Sequence, residues 1–178
     1  QSTLDYAHSL VDAGHTTWFL VTADSQTGGR GTHGRAWKTL PGESLTMSLV
    51  VPPPSNEARL ERLTVRSSEC LKEAVAGETG LACSVKEPND LLFGGRKLAG
   101  ILFETSTVKN YIGPLVMGLG LNISQSADVF ADAGLPEATS VAASGGNACS
   151  YERLLIAFLE RFIAFYTVTC LEESDVEE

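Results

Sequence analysis

The glycine pair Gly94-Gly95 is the feature of this sequence that most constrains its fold. It separates two apolar runs, at 91–93 and 98–103, and two residues that accept positive φ between such runs are typical of a two-residue β-hairpin turn. Apolar patterning predicts further strands at 17–23, 45–51, 82–86 and 111–123, and helices at 2–14, 57–76 and 151–168. Because regular strand–helix–strand alternation is absent, we predict an α+β fold with a mixed, largely antiparallel sheet flanked by helices.

The size and charge of the chain narrow the classes of function. Its 178 residues are enough for one domain with a substantial hydrophobic core. The net charge of −9 disfavours binding to DNA or to an anionic membrane, because both usually require a basic face. No stretch approaches the roughly 20 apolar residues of a membrane span. We therefore expect neither DNA nor a membrane among the partners.

The cysteines indicate the redox compartment. None has metal-ligand spacing, so we interpret them as buried or partly buried thiols. Such thiols favour a reducing environment, and we expect a cytoplasmic location. The four residues are Cys70, Cys83, Cys149 and Cys170.

A loop rich in glycine and arginine follows the first predicted strand. Residues 26–37, QTGGRGTHGRAW, contain four glycines and two arginines. Glycine allows the backbone to come close to a ligand, and the arginine fork fits carboxylate and phosphate oxygens. The spacing is neither that of a Walker A loop nor that of an ordinary dinucleotide-binding fingerprint. A flexible surface loop is the alternative, but the concentrated positive charge predicts a site for a small polyanion.

Two further clusters carry residues suited to such a site. In the first, Lys97 could neutralise a carboxylate and a phosphate as they react, and Asp90 could bind magnesium, which prefers carboxylate oxygens. In the second, the strand glycines at 118 and 120 suggest close approach of a ligand, and Asn122 could pair with the edge of an adenine. Taken singly, each has a plainer interpretation: Asp90 as a turn residue, Lys97 as a solvated hairpin lysine, and Asn122 as the cap of a bulge.

Together these motifs resemble those of the biotin protein ligases. The family pattern is S-T-N, Q-T-A-G-R-G-R-R-G-R-x-W, K-W-P-N-D, G-x-K-L-A-G-I-L-x-E and G-I-G-I-N. This sequence has STL at 2–4, QTGGRGTHGRAW at 26–37, KEPND at 86–90, GRKLAGILFE at 95–104 and GLGLN at 118–122, in the same order. The resemblance covers nearly the whole chain. It implies a class II synthetase-like catalytic domain, shared with lipoate ligases.

The resemblance also implies an activity. Enzymes of this family join biotin to AMP at the expense of ATP, with magnesium, and then pass biotin to a lysine of a biotin carboxyl carrier domain. Lys97 and Arg30 would be the catalytic residues. The residues that contact biotin would be Ser2, Thr3, Leu4, Gln26, Gly29, Arg30, Gly31, Thr32, Lys97 and Gly100. The nucleotide would contact Arg30, Arg35, Trp37, Asn89, Asp90 and Asn122, and Asp90 would also bind the metal.

Three positions depart from the family pattern. Leu4 replaces an asparagine near biotin, Thr32 replaces an arginine that helps to retain the adenylate, and Glu87 replaces a tryptophan. We expect Thr32 to give a leakier intermediate, and a Glu87 carboxylate to repel ATP unless it points to Lys86 or to solvent. Two alternatives stay open: a lipoate or octanoate ligase or transferase of the same fold, and a non-catalytic relative that binds the ligands.

The resemblance also predicts the domain organisation. We expect the catalytic domain at 1–170 and an acidic tail at 171–178, with neither a DNA-binding domain nor a C-terminal β-barrel in this sequence. Because members of the family often pair through their sheets, a homodimer is a further expectation. We also expect the glycine–arginine loop to be mobile without ligand, since such a loop has little to pack against.

Overall fold

The computed structural model describes residues 1–39, 41–54, 62–108 and 111–171. These residues form six strands and four α-helices, with a 3₁₀ turn at Thr32–Gly34 and a π-helical turn at Thr167–Leu171. In chain order the elements are α1 (Thr3–Asp12), β1 (Phe19–Thr22), β2 (Ser44–Val51), α2 (Leu63–Thr79), β3 (Ser84–Lys86), β4 (Asp90–Phe93), β5 (Arg96–Val108), β6 (Tyr111–Asn122), α3 (Ala127–Asp132) and α4 (Tyr151–Tyr166).

The strands form one sheet in the order β1-β2-β6-β5-β4-β3. All five described pairings are antiparallel, and the parallel contact among the described residues is an isolated bridge between Lys97 and Ala138. The sheet is therefore more uniformly antiparallel than the mixed sheet that was predicted. Gly94 and Gly95 form the predicted hairpin turn between β4 and β5, with φ of +57° and +77°, the two positive values that a type I′ turn requires.

Helices cover both faces of the sheet. Alternate residues of β2 point to opposite faces: Leu45, Met47, Leu49 and Val51 pack in the main core with α2 and α4. On the other face Val50 packs with Leu4, Ala7 and Val11 of α1 and with Val116 of β6. The result is a three-layer arrangement in which α1 covers only part of its face and leaves the rest of that face for the loops.

The first predicted helix is confirmed. Ser2 is the N-cap of α1: its hydroxyl accepts a hydrogen bond from the Asp5 backbone, and the Asp5 carboxylate accepts one from the Ser2 backbone. This reciprocal capping box satisfies two amide groups that would otherwise lack partners. The chain leaves the helix through Gly14, at φ +97°. Because the cap fixes where α1 begins, it also fixes the position of the neighbouring residues Thr3 and Leu4.

Helix α4 supplies much of the main core. Phe158, Phe162 and Tyr166 are fully buried, and their rings pack in series along one side of the helix. By length and composition alone, Tyr151–Leu171 is apolar enough to cross a membrane, with a mean hydropathy of 1.8. The expectation that no segment reaches this limit is therefore wrong. The core helix of a globular domain passes the same test, and the three rings are buried in the main core with α2 and the sheet, although only 33% of the apolar window is buried.

Several local predictions require correction. The strand predicted as buried at 17–23 is the shorter β1, whose residues alternate between half-buried and exposed because it lies at the edge of the sheet. Helix α3 was not predicted. Helix α2 runs on to Thr79 and ends at Gly80, at φ +76°, while the predicted start at 57–61 lies outside the described residues, as does the acidic tail at 172–178.

The cysteine prediction is confirmed for burial. Cys70 and Cys170 are buried, and Cys83 and Cys149 are partly buried. Burial raises the pKa of the Cys83 thiol to about 11, so this side chain is a neutral thiol at physiological pH.

Candidate active site

Two adjoining cavities open beside the part of the sheet that α1 leaves uncovered. The inner cavity is narrow, with a volume of about 40 Å³. The outer cavity is larger, about 460 Å³. Both are lined by Gly31, Thr32, Trp37 and Lys97, so these four residues separate one compartment from the other. A site of this form can hold two joined or reacting groups, one in each compartment, that meet at Lys97.

The inner cavity brings together most of the residues predicted to bind biotin. Eight of those ten residues line it: Thr3, Leu4, Gln26, Arg30, Gly31, Thr32, Lys97 and Gly100. Among the described residues it is also lined by Trp37, Thr46, Met47, Asn89, Ile101, Leu102, Gly118, Leu119 and Gly120. The structure places Ser2 and Gly29 outside the lining of both cavities: Ser2 caps α1, and Gly29 lies against the Trp37 carbonyl.

Glycines form the floor of the inner cavity. Gly120 of β6 pairs with Gly100 of β5, and neither has a side chain to fill the space above the sheet. The Trp37 ring lies directly on Gly120, where an added Cβ would come within 2.3 Å of the indole. Leu4 lies in the same way on Gly118, at 3.0 Å from an added Cβ. The groups that approach these glycines in this structure are side chains of the chain itself, so close approach of a ligand stays a prediction.

Four contacts fix the position of Lys97. Its ammonium forms an ion pair with Asp90 at 2.7 Å and lies 5.7 Å from the centre of the Trp37 ring, within cation–π range. Its side chain passes over Gly100, where an added Cβ would come within 3.3 Å of Nζ. Its backbone bonds to the segment around Ala138, donating from N to the Glu137 carbonyl at 2.7 Å. The lysine that was predicted to be catalytic thus has a fixed position at the junction of the cavities.

Arg30 lies between two carboxylates. It forms ion pairs with Asp5 of α1 and, at 3.0 Å, with Glu104 of β5, and Glu104 also contacts His8 at 2.8 Å. Partial burial lowers the pKa of Arg30, but its hydrogen bonds and charge interactions with Asp5 and Glu104 outweigh this effect and raise the pKa. These contacts anchor the loop to α1 and β5. Arg30 and Lys97, far apart in the sequence, line the same cavity.

A buried chain of hydrogen bonds fixes the start of the inner cavity. The Ser48 hydroxyl donates to Thr3 Oγ1 at 2.8 Å. Thr3 in turn donates from its backbone to Gln26 Oε1 at 2.7 Å. These hydrogen bonds link β2, α1 and the loop, so Thr3 and Gln26 present polar atoms in a defined orientation beside apolar walls. Such an arrangement suits a small ligand with a polar head.

The outer cavity contains four of the six residues predicted to bind the nucleotide. Arg35, Trp37, Asp90 and Asn122 line it, whereas Arg30 and Asn89 line the inner cavity. The Asn122 amide donates to the Thr139 carbonyl at 3.0 Å and is buried, so part of its hydrogen-bonding capacity already serves the fold.

The charges around the two cavities favour an anionic ligand. Among the described side chains, five of the 13 basic residues of the chain line them, against two of the 22 acidic residues. The basic residues are Arg30, Arg35, Lys38, Lys86 and Lys97, and the acidic residues are Asp90 and Glu137. A chain with a net charge of −9 therefore concentrates positive charge at this site.

Asp90 is the candidate for a metal ligand. Within the described residues no group of three or more His, Cys, Asp or Glu side chains could hold a metal ion. A single carboxylate fits magnesium that is held mainly by phosphate oxygens, as is usual for this ion.

The three departures from the family pattern have distinct environments. Leu4 is buried against Gly118, where it provides an apolar wall. Thr32 lines both cavities. Glu87 is exposed and is not among the residues that line either cavity, so the described geometry gives no support to repulsion between its carboxylate and a nucleotide.

Sequence reasoning missed several residues of the site. Asp5 contacts Arg30, and no motif in the sequence points to this contact. Phe130 and Leu135 line the outer cavity from α3 and the following loop, which carry no recognisable motif. Thr46 lines the inner cavity, and a signal was present: Ser44, Thr46 and Ser48 alternate with apolar residues in a strand whose eight residues are all buried.

Comparison with known proteins agrees with this geometry. The model of the biotin/lipoate A/B protein ligase family matches residues 3–122. The bifunctional ligase/repressor BirA of Bacillus spizizenii is 30% identical over 170 residues, which cover 93% of this chain and 52% of the relative. The chain thus spans about half the length of the curated relatives it matches.

Solved structures show the same fold. The biotin protein ligase from Aquifex aeolicus in complex with biotin and ATP has a TM-score of 0.74 and 26% identity, covering 95% of this chain and 68% of that chain. The ligase from Leishmania major in complex with biotinyl-5-AMP has a TM-score of 0.73 and 25% identity, covering 96% of this chain and 73% of that chain. By the extent of the family match and the agreement in fold, the chain belongs to the biotin/lipoate A/B protein ligase family.

Proposed function

We propose that this chain activates biotin with ATP to form biotinyl-5′-AMP and then transfers biotin to a lysine of a biotin carboxyl carrier domain. The observation that carries the proposal is the pair of cavities that share Lys97 as a common wall. Adenylation of an acid requires the acid and the nucleotide to be held side by side, and a cation between them stabilises the charge that develops. The relatives solved with biotin and ATP, and with biotinyl-5-AMP, have this fold, which supports the proposal.

The two cavities suit the two substrates. The inner cavity combines the apolar side chains of Leu4 and Leu102 with the polar atoms of Thr3 and Gln26, which matches a ring with one polar edge. The outer cavity is larger and more basic, which matches a nucleotide with its phosphates. The ring of biotin would occupy the inner cavity, with the biotin carboxylate directed towards Lys97.

The inner cavity requires a change of shape before it binds biotin. A volume of about 40 Å³ has room for only a few water molecules. The Trp37 ring fills the space above Gly120, and it belongs to the loop rather than to the sheet. We infer that the loop moves to admit the ligand and closes again over it, which would keep water from the activated intermediate.

In the first step an oxygen of the biotin carboxylate attacks the α-phosphorus of ATP, and pyrophosphate leaves. Negative charge increases around phosphorus in the transition state, so cations held in place beforehand lower the barrier. The Lys97 ammonium, fixed by Asp90, would neutralise the carboxylate and the phosphoryl oxygens as they approach. Arg30 would add a second cation from the loop once some of its N–H groups, which pair with Asp5 and Glu104, bond to the ligand.

Magnesium supplies charge neutralisation for the ATP phosphates when it is bound, and Asp90 is the residue that would hold it. In that role Asp90 would serve both cations, since it also forms the ion pair with Lys97.

In the second step the neutral amine of the carrier lysine attacks the carbonyl carbon of the mixed anhydride. A carbon–nitrogen bond forms, the bond to the phosphate oxygen breaks, AMP leaves, and the nitrogen releases one proton to water. Lys97 would stabilise the charge that returns to the phosphate. The site itself contributes mainly position and electrostatics, because the adenylate already carries a good leaving group.

The proposal also extends to the location of the protein, to DNA binding and to its oligomeric state. The buried and partly buried cysteines are consistent with a cytoplasmic location. The acidic overall charge is consistent with a protein that does not bind DNA. A homodimer would pair through an edge of the sheet, and β1 and β3 are the edge strands among those described.

A pyrophosphate-release assay with biotin and ATP tests the proposed function. We expect release that depends on both substrates, together with a biotinyl-5′-AMP peak in mass spectrometry of the bound ligand. Absence of pyrophosphate at saturating substrates would favour the non-catalytic alternative. Stronger binding and turnover of lipoate or octanoate than of biotin, measured by calorimetry and in the same assay, would favour the other alternative.

A further inference from the structure

Three hydroxyl groups follow one face of β2. Ser44, Thr46 and Ser48 are at alternate positions and are all buried, and they point to the face that carries α1 and the loop. Ser44 accepts a hydrogen bond from Gln125 Nε2 at 2.6 Å, and Ser48 donates to Thr3 Oγ1 at 2.8 Å. Thr46 Oγ1, which lies between them, has no hydrogen-bond partner in the part of the chain that the structure describes.

The position of Thr46 connects this hydroxyl to the inner cavity. Thr46 is 3% exposed and lines the inner cavity. Thr46 pairs with Gly120 of β6, and Gly120 pairs with Gly100 of β5. The two positions next to Thr46 across the sheet therefore carry no side chain. Trp37 lies on Gly120, and its Nε1 is likewise buried with no partner among the described residues. Two polar atoms without partners therefore border one glycine floor.

A buried hydroxyl without a partner lowers stability, because the group has lost its hydrogen bonds to water and gained none. Such a hydroxyl is expected where its hydrogen-bond partner is a water molecule or a ligand and not another part of the chain. The lining of a ligand cavity is such a place: water can satisfy the hydroxyl in the free protein, and a polar atom of the ligand can replace that water.

We propose that Thr46 is a specificity-determining residue whose hydroxyl bonds to the ureido group of biotin in the inner cavity. This inference rests on the proposed function. Within biotin, the ureido group offers strong donors and a strong acceptor, whereas a thioether sulfur accepts only weakly. The alkyl chain of octanoate offers no partner at all, so an acid of that kind would leave Thr46 unsatisfied. The hydroxyl thus selects for a ring with a polar edge and against a plain fatty acid.

Two substitutions separate the hydroxyl from the rest of the side chain. Thr46→Val keeps the shape and removes the hydrogen-bonding group, and Thr46→Ser keeps the hydroxyl. Thr79→Val is the matched control, because Thr79 is also buried but its hydroxyl donates to the Val75 carbonyl at 2.6 Å. The measurements are the Kd for biotin by calorimetry and the melting temperature of the ligand-free protein, each on the full chain.

We expect Thr46→Val to weaken biotin binding about fivefold to tenfold, the effect of one lost hydrogen bond, without lowering the melting temperature. Thr46→Ser should bind biotin within about twofold of the unsubstituted protein. Thr79→Val should show the reverse pattern, with a lower melting temperature and unchanged affinity.

Three results would overturn the inference: unchanged affinity in Thr46→Val, equal loss of affinity in Thr46→Ser, or a loss of affinity that accompanies a lower melting temperature. If the unsubstituted protein does not bind biotin, the proposed function itself fails and the role of Thr46 fails with it. Normal biotin binding with an unaffected Thr46→Val leaves the proposed function intact and removes only this inference.

Discussion

At the scale of single residues, Lys97 is defined by its surroundings more than by its own chemistry. Asp90 balances its charge, Gly100 leaves space for its side chain, and the segment at 137–139 fixes its backbone. The sequence predicts Lys97 because a lysine follows a glycine hairpin in a recognisable motif. It does not predict the contribution of Glu137, which lies 40 positions later and carries no motif.

Replacement of Lys97 tests its role in the first step. We expect Lys97→Gln to lower the rate of pyrophosphate release by about 100- to 1,000-fold, the usual effect of removing one group that stabilises transition-state charge. Lys72→Gln is the matched control, since Lys72 pairs with Glu69 on the surface of α2. An unchanged rate in Lys97→Gln, with a normal melting temperature, would remove Lys97 from the catalytic step.

Asp5 gives a prediction about pH. Burial raises the pKa of Asp5, but hydrogen bonds from the Ser2 side chain and backbone, together with Arg30, outweigh it and hold the pKa below its usual value of 3.8. A lowered pKa in the folded state stabilises the fold above the unfolded value, and this stabilisation is lost as pH falls through the folded value. Because the Asp5 side chain is 38% exposed, we expect its ionisation to contribute less than about 1 kcal/mol to the free energy of unfolding.

Asp5→Asn should therefore be less stable than the unsubstituted protein at pH 7, and the difference should disappear as pH falls below about 3.8. Urea unfolding at pH 7, 5 and 3.5 measures both free energies of unfolding. A difference that stays constant over this range, or grows at low pH, would show that Asp5 acts through something other than its charge.

At the scale of the elements, local sequence patterns predicted where helices and strands lie better than they predicted how exposed each element is. The Gly94-Gly95 turn and the start of α1 are encoded by residues close together in the sequence, so both are visible there. The exposure of β1 is not, because it depends on which strand lies at the edge of the sheet. Helix α3 is only six residues long, too short to produce a clear periodic pattern.

The floor of the inner cavity depends on Gly120 in β6. In Gly120→Ala the added Cβ would come within 2.3 Å of Trp37, so the indole must move. We expect stability to fall by about 1–3 kcal/mol and affinity for ATP to fall about tenfold. The control is Gly77→Ala in α2, where an added Cβ has no neighbour closer than 3.8 Å and stability should be retained. Unaltered ATP binding in Gly120→Ala would contradict the assignment of Trp37 to the nucleotide.

The glycine–arginine loop gives a prediction about dynamics. Its internal backbone hydrogen bonds are few, from Gly31 to Arg35, from Arg35 to Thr32 and from Trp37 to Gly29, so most of its amides should exchange rapidly without ligand. Biotin and ATP together should slow exchange at 28–37 by roughly tenfold or more. Hydrogen exchange followed by mass spectrometry measures this, with α2 as the internal reference. Equal protection of the loop with and without ligands would exclude closure over the site.

At the scale of the whole molecule, one face of the sheet serves stability and the other serves the site. Helices α2 and α4 bury the first face completely enough to form the main core. Helix α1 covers only part of the second face, and the loop, the hairpin and β6 meet in the remainder. The sequence predicts each motif separately, because the residue types needed for binding recur at fixed spacing. It does not predict Thr46, Asp5 or Phe130 as site residues, since only the folding of distant segments brings them together.

A crystal structure of the chain with biotin and ATP tests most directly whether the two substrates meet at Lys97. We expect biotinyl-5′-AMP with its bicyclic ring in the inner cavity, its adenine in the outer cavity, and its acyl-phosphate oxygens within hydrogen-bonding distance of Lys97 Nζ. An adenylate that lies away from Lys97, or biotin bound outside the inner cavity, would contradict this expectation.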